Sequence, residues 1–190
     1  MVGAELRILA FAGSLRRYSF NRGLIRAAIE VAPSNVEIRT FDLAPIPLYD
    51  ADVEEAGDPP PVREFKAEIR QADALLIATP EYNYSVSGVL KNAIDWASRP
   101  PQTTVLRRKP AAVMGASAGP QGTARAQLAL RQSFLFTETL VLPKPELYIP
   151  HANQTFDEQG NLKDESLRQR IKALVEALVS WTKQLGVKQP

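Results

Sequence analysis

Five short strand-like segments, spaced by stretches with helical periodicity, constrain this chain more than any other feature. Ile8 to Ala12, Ala74 to Thr79 and Pro110 to Ala116 read as apolar strands, and Val36 to Phe41, which alternates apolar and polar residues, as a further one. A fifth strand starts at Thr139 to Leu142 and continues at Leu147 to Ile149, past Pro143 and Pro145. Strands that are apolar throughout are those covered on both faces of a sheet. The intervening segments Phe20 to Val31, Val62 to Gln71, Val86 to Ser98, Thr123 to Phe136 and Asp164 to Leu185 carry apolar residues at helical spacing. Strands alternating with helices specify an α/β fold, a parallel sheet flanked by helices on both sides, because right-handed crossovers cover both faces. For five strands the common order is 2-1-3-4-5, which places a ligand outside the carboxyl ends of strands 1 and 3. The 190 residues form one domain on this reading, residues 1–190.

The composition narrows the chemistry. A net charge of +2 gives no field for nucleic acid or a membrane surface. Without cysteine, thiolate catalysis, disulfides and cysteine metal sites are excluded, so any redox step needs a bound cofactor. His151 is the one histidine. No run of about 18 apolar residues is present and no secretory leader is recognisable, so the expected compartment is the cytoplasm. The stretch from Asp42 to Pro61 holds five prolines and an acidic patch from Asp50 to Glu55, and reads as a long, partly flexible surface loop.

Three loops at the expected ligand-binding edge are chemically unusual. The first, Gly13 to Asn21, offers Ser14, Arg16, Ser19 and Asn21 before a helix. Hydroxyls, an amide and a guanidinium beside a helix N-terminus suit a phosphate. The second, Thr79 to Gly88, presents Tyr82, Asn83 and Tyr84, a mixture of aromatic faces and polar donors suited to a planar heterocycle. The third, Gly115 to Gly122, has glycines that permit close backbone approach, but its G-x-x-x-G-x-x-G spacing is not the dinucleotide fingerprint. Phosphate at one end and a flat ring at the other describe a mononucleotide such as FMN.

Two motifs carry a resemblance. They are Gly13-Ser14-Leu15-Arg16 with Ser19 and Asn21, and Pro80-Glu81-Tyr82-Asn83 leading into Gly88 to Trp96. Together they resemble the NAD(P)H-dependent FMN reductases of flavodoxin-like fold, quinone and chromate reductases included, over nearly the whole chain. The resemblance implies a three-layer sandwich and FMN as cofactor, with NADPH or NADH as co-substrate. It implies that Ser14, Arg16, Ser19 and Asn21 hold the phosphate, and that Pro80, Glu81, Tyr82 and Asn83 follow the isoalloxazine ring and ribityl chain. Ser117 and Gly119 would close the other edge of the ring. No protein residue is then an obligatory acid or base, and backbone N–H groups near Asn83 and Ser117 would steady negative charge on the ring. The acceptor would be a small molecule: a quinone, free flavin, an azo compound or chromate. The family assembles as dimers or tetramers, with Tyr84, Arg125 and Glu146 as candidate interface residues.

Other readings bear on the same residues. A flavodoxin-type electron carrier or a non-catalytic flavin-binding module shares the fold, but such carriers are strongly acidic and this chain is not. A response-regulator receiver needs an acidic pair after strand 1 and an aspartate at the end of strand 3, where this chain has Ala12-Gly13 and Ala78-Thr79. His151 reads as a surface histidine, Lys91 and Asp95 as a helix-surface ion pair, and Trp96 as core or interface.

Overall fold

The computed structural model describes residues 6–186. Its first half runs β1 (Leu6–Ala12), α1 (Phe20–Glu30), β2 (Val36–Thr40), α2 (Ala51–Ala56), α3 (Pro60–Gln71) and β3 (Ala74–Ala78). A small hairpin comes next, β4 (Glu81–Tyr82) and β5 (Ser85–Val86), and then α4 (Gly88–Ala97). The second half comprises β6 (Pro110–Ala116), α5 (Ala124–Phe136), β7 (Leu140–Val141), β8 (Leu147–Ile149), α6 (Ala152–Thr155) and α7 (Glu165–Leu185).

The main sheet is parallel and ordered β2-β1-β3-β6, with β7 and β8 both on the outer side of β6. This is the expected 2-1-3-4-5 order with the fifth strand in two pieces. Pro110 and Ala111 face Leu140 and Val141, whereas Met114 to Ala116 face Leu147 to Ile149. More chain separates Val141 from Leu147 than separates Ala111 from Met114, so the excess bulges out of the ladder. Pro143 and Pro145 lie in that excess and have no N–H to give a neighbouring strand.

Strand alternation divides the core into two layers. Ile8, Ala10, Leu76 and Met114 pack on one side against Leu24 and Ala28 of α1 and Ile171, Leu174 and Leu178 of α7. Leu9, Phe11, Leu75, Ile77 and Val113 pack on the other against Val62 and Phe65 of α3, Leu90 and Trp96 of α4, and Leu130 and Phe134 of α5. The result is a three-layer α/β sandwich whose β1 and β3 carboxyl ends open to one edge.

Two expectations change. The segment Asp42 to Pro61 is anchored rather than loose: Asn92 accepts from the Tyr49 N–H at 2.8 Å, and Asn92 and Trp96 both donate to the Pro47 carbonyl. Within it α2 forms, capped by Asp50 and carrying Asp52 in its first turn, where acidic groups favour the helix dipole. The second loop folds as the β4–β5 hairpin. Trp96 is fully buried, and Lys91 pairs with Asp95 at 2.6 Å as expected. No helix of the described residues is long and apolar enough to cross a membrane, and no group of metal-ligating side chains occurs among them.

Candidate functional site

The β1–α1 loop is held from three directions. Ser87, which caps α4 by accepting from the Leu90 N–H, donates its hydroxyl to the Gly13 carbonyl at 2.6 Å. A Cβ on Gly13 would lie 2.7 Å from Ser87 Oγ and 2.9 Å from Leu90 Cβ. Glycine is needed there for close approach of two elements rather than for an unusual turn. Arg22 donates Nε to the Ser14 carbonyl at 3.1 Å and its terminal nitrogen to Asp42 at 3.0 Å, tying the loop to the end of β2. Asn21 donates its amide to the Ala116 carbonyl and accepts from the Ala116 N–H, both at 3.0 Å, joining α1 to the end of β6.

This scaffold leaves a set of donors free. Among the described residues no hydrogen bond takes up the N–H of Leu15, Arg16 or Arg17, or the hydroxyl of buried Ser14. Ser19 caps α1, accepting from the N–H groups of Asn21 and Arg22. A hydroxyl that accepts still has its proton to give. Arg16 has no ion-pair partner among the described residues, and its guanidinium lies 4.9 Å from the centre of the Phe20 ring. Ser14, Arg16 and Ser19 thus bring two hydroxyls and an unpaired guanidinium to one cleft at the N-terminus of α1, with the free loop N–H groups alongside, an environment suited to a phosphate dianion.

The opposite wall is the hairpin. Its two-residue turn is Asn83-Tyr84, with φ of 50° and 65°. Both central residues at positive φ define the turn type that matches strand twist. Asparagine tolerates this conformation, whereas tyrosine is strained there by about 1–3 kcal/mol. The contact that offsets this strain is Arg125, whose guanidinium lies 3.7 Å from the centre of the Tyr84 ring. Glu81 anchors the base of the hairpin. Its nearly buried carboxylate accepts from the Arg125 N–H, the Ala126 N–H and Arg125 Nε at 2.8–3.2 Å. Thr123 makes no capping bond at the start of α5, and Glu81 fills that role from another loop.

A cleft of about 330 Å³ lies between these walls, within the size range of small-ligand sites. Ser14, Arg16, Ser19, Asn21, Pro80, Glu81, Tyr82 and Ser117 line it. Phe20, Ala116 and Ala118 also line it, and the sequence motifs did not single them out. Phe20 had a signal, adjacency to the Ser19 cap; the two alanines had none. Gly119 lies instead in an adjoining cleft of about 350 Å³ with Tyr84 and Arg125, which shares Glu81 and Ser117 as a wall. Asn83 sits at the hairpin tip and lines neither. Gly115, expected near a ligand, is occupied with packing: a Cβ there would meet Thr79 and Thr123.

The third loop also differs from expectation. The Ser117 N–H donates to the Ile149 carbonyl at 3.0 Å and is not free, and the Gly119 N–H donates to Ser117 Oγ at 3.1 Å. The Ala118 N–H, between them, has no partner among the described residues. His151 is exposed as expected, at φ 47°, and its N–H donates to the Gly119 carbonyl at 3.3 Å.

Comparison with known proteins identifies the family. The family described as NADPH-dependent FMN reductase matches residues 6–154. The chain belongs to that family. An NAD(P)H-dependent FMN reductase of Pseudomonas aeruginosa is 49% identical over 181 residues, covering 95% of this chain and 97% of the relative. A 2-hydroxy-1,4-benzoquinone reductase of Burkholderia is 41% identical, with 94% and 97% covered. Among solved structures, the flavoenzyme NAD(P)H:acceptor oxidoreductase FerB of Paracoccus denitrificans superposes with a TM-score of 0.85 at 35% identity, covering 94% of this chain and 98% of that one. Family membership therefore gives this FMN reductase FMN as its cofactor and NAD(P)H as its electron donor.

Proposed function

We propose that this FMN reductase holds FMN with its phosphate in the β1–α1 loop and its ring between the hairpin and the Ser117 turn, and that it passes electrons from NAD(P)H to quinones or other small acceptors. The observation that carries the reading is the set of uncommitted donors at the end of β1. The loop is braced on three sides, yet the Ser14 hydroxyl, the Arg16 guanidinium and the N–H groups of Leu15 to Arg17 make no hydrogen bond or ion pair among the described residues. Free donors gathered beside a helix N-terminus at the mouth of a cleft are what an anionic group needs.

When bound, FMN supplies the two-electron chemistry that no side chain of this cysteine-free chain can. The residues of the chain bind and orient. Ser14, Ser19, Arg16 and the N–H groups of Leu15 to Arg17 would neutralise the phosphate. Pro80 and Tyr82 would border the ring, with Asn83 fixing the hairpin turn, and the Ala118 N–H is placed to donate at the far edge. Asn21 and Glu81 act at one remove, because their polar atoms are committed to Ala116 and to the start of α5. The Glu81 carboxylate, with both oxygens occupied, is not free to act as a general base.

The adjoining cleft shared by Glu81 and Ser117 opens beside the ring position and suits a nicotinamide or quinone. Exposed Leu128, Leu135 and Phe136 on α5, with Tyr82 and Tyr84 on the hairpin, support assembly as a homodimer or homotetramer. A nicotinamide donor fits a cytoplasmic setting.

Purified protein titrated with FMN should quench flavin fluorescence with 1:1 stoichiometry, and should then oxidise NADPH or NADH steadily when benzoquinone is supplied. Binding without turnover would favour a carrier or scaffold instead. No binding would refute the site.

A further inference from the structure

The family match ends at residue 154, but the phosphate loop leans on a turn just beyond it. Phe156 and Leu162 form an antiparallel bridge that closes this turn. Inside it Asp157 accepts from the Asn161 N–H at 2.7 Å and from the Asn161 amide at 3.1 Å, and the Asp157 N–H donates to the Asn161 carbonyl. These bonds hold the Asp157 carboxyl below its usual range, first through the Asn161 N–H. Gly160, at φ 73°, is the turn's point of contact.

Gly160 meets α1 and the phosphate loop together. Its carbonyl sits where a Cβ on Gly23 would be, 2.1 Å away, so only glycine in the first turn of α1 lets it seat. A Cβ on Gly160 itself would come within 2.9 Å of the Tyr18 carbonyl. Arg26, one turn along α1, donates to the Gly160 carbonyl at 2.6 Å and to Asn161 Oδ1 at 3.2 Å. Phe156 packs on Phe20 at 5.2 Å between ring centres, and Phe20 is the platform for Arg16.

We propose that the 156–162 turn is a brace for phosphate recognition: clamped by Arg26 onto Gly23, Gly160 fixes the backbone at Tyr18 and Ser19 and Phe156 fixes the platform of Arg16. Arg26 and Gly160 are positioning residues that touch no ligand. The inference rests on the FMN reading above. If it holds, disturbing the clamp weakens binding of a phosphorylated flavin and spares an unphosphorylated one.

The test measures FMN and riboflavin affinity by fluorescence titration for the wild type, Arg26→Met, Arg26→Lys and Gly23→Ala. Arg26→Met should weaken FMN about tenfold and riboflavin less than twofold, since a charged donor to the loop's support is lost. Arg26→Lys, which keeps a donor in reach of Gly160, should recover most of the loss. Gly23→Ala should behave like Arg26→Met, and if it does not fold, the Arg26 pair decides. Equal weakening of both flavins, or unchanged FMN affinity in Arg26→Met, would overturn the brace. A wild type that binds riboflavin as tightly as FMN would instead refute the phosphate site itself.

Discussion

Lys109 offers a test of how burial works in this fold, at the end of the molecule away from the site. It precedes β6 and is 2% exposed, with Nζ donating to the Ala72 carbonyl at 2.6 Å. Burial pulls its pKa from 10.5 down to about 8, with Asp73 opposing the fall. The folded protein therefore releases this proton near pH 8, whereas the unfolded chain keeps it until about 10.5. Between those values the unfolded state binds more protons, so stability rises with pH. The stabilisation is complete above 10.5 and is lost as pH falls through 8. Full relief of the buried charge amounts to roughly 3 kcal/mol, or about 6–12 °C in Tm for a chain of this size. A counter-current begins near pH 10. Tyr148 is pushed up to about 12 by burial and by its hydrogen bond to Glu146, so its contribution is present below 10 and lost towards 12. Urea unfolding followed by circular dichroism at pH 7, 8, 9, 10 and 11 should show stability climbing from pH 8 to 10 and the climb ending by pH 11. Lys109→Met should flatten the climb and leave FMN affinity unchanged, because the residue lies at the opposite end of the strands from the cleft. An undiminished climb in Lys109→Met would refute the assignment to this lysine.

Three further outcomes check the site. Arg16→Ala should weaken FMN by roughly 10- to 100-fold in a fluorescence titration, the equivalent of a charged hydrogen bond worth about 1.5–3 kcal/mol, with little change in riboflavin binding. Glu81→Ala should lower stability to urea by about 1–3 kcal/mol, since it uncaps α5 and leaves Arg125 without its carboxylate. Gly13→Ala should lower stability by about 1–3 kcal/mol through the clash with Ser87 and Leu90, seen as a drop in Tm.

The sheet was legible because β1, β3 and β6 are largely apolar on both faces, β2 alternates apolar and polar residues, and the long helices between them run ten residues or more with apolar residues at helical spacing. Elements too short for a period were not. The hairpin has two-residue strands, and its turn carries tyrosine where the usual signal is glycine. The six residues of α2 looked like an acidic loop because the carboxylates that cap it also make it polar. The split fifth strand was visible through its prolines, since the missing N–H is a covalent fact.

The candidate site was legible in place but not in division of labour. The motifs bring Ser14, Arg16, Ser19, Asn21, Glu81 and Ser117 to one cleft, yet their polar groups fall into two classes. The Ser14 hydroxyl, the Arg16 guanidinium and the loop N–H groups are uncommitted, whereas Asn21 is bound to Ala116, 95 positions away, and Glu81 to Arg125, 44 positions away. Such partners are set by the sheet order, so no local pattern reveals them. The division has an energetic consequence. A free donor adds little to folding, and its loss falls on ligand affinity. A committed group such as Glu81 leaves an uncompensated partner when removed, so its loss falls first on stability. Which term moves under substitution is therefore a property of the fold around each residue, not of its place in the motif.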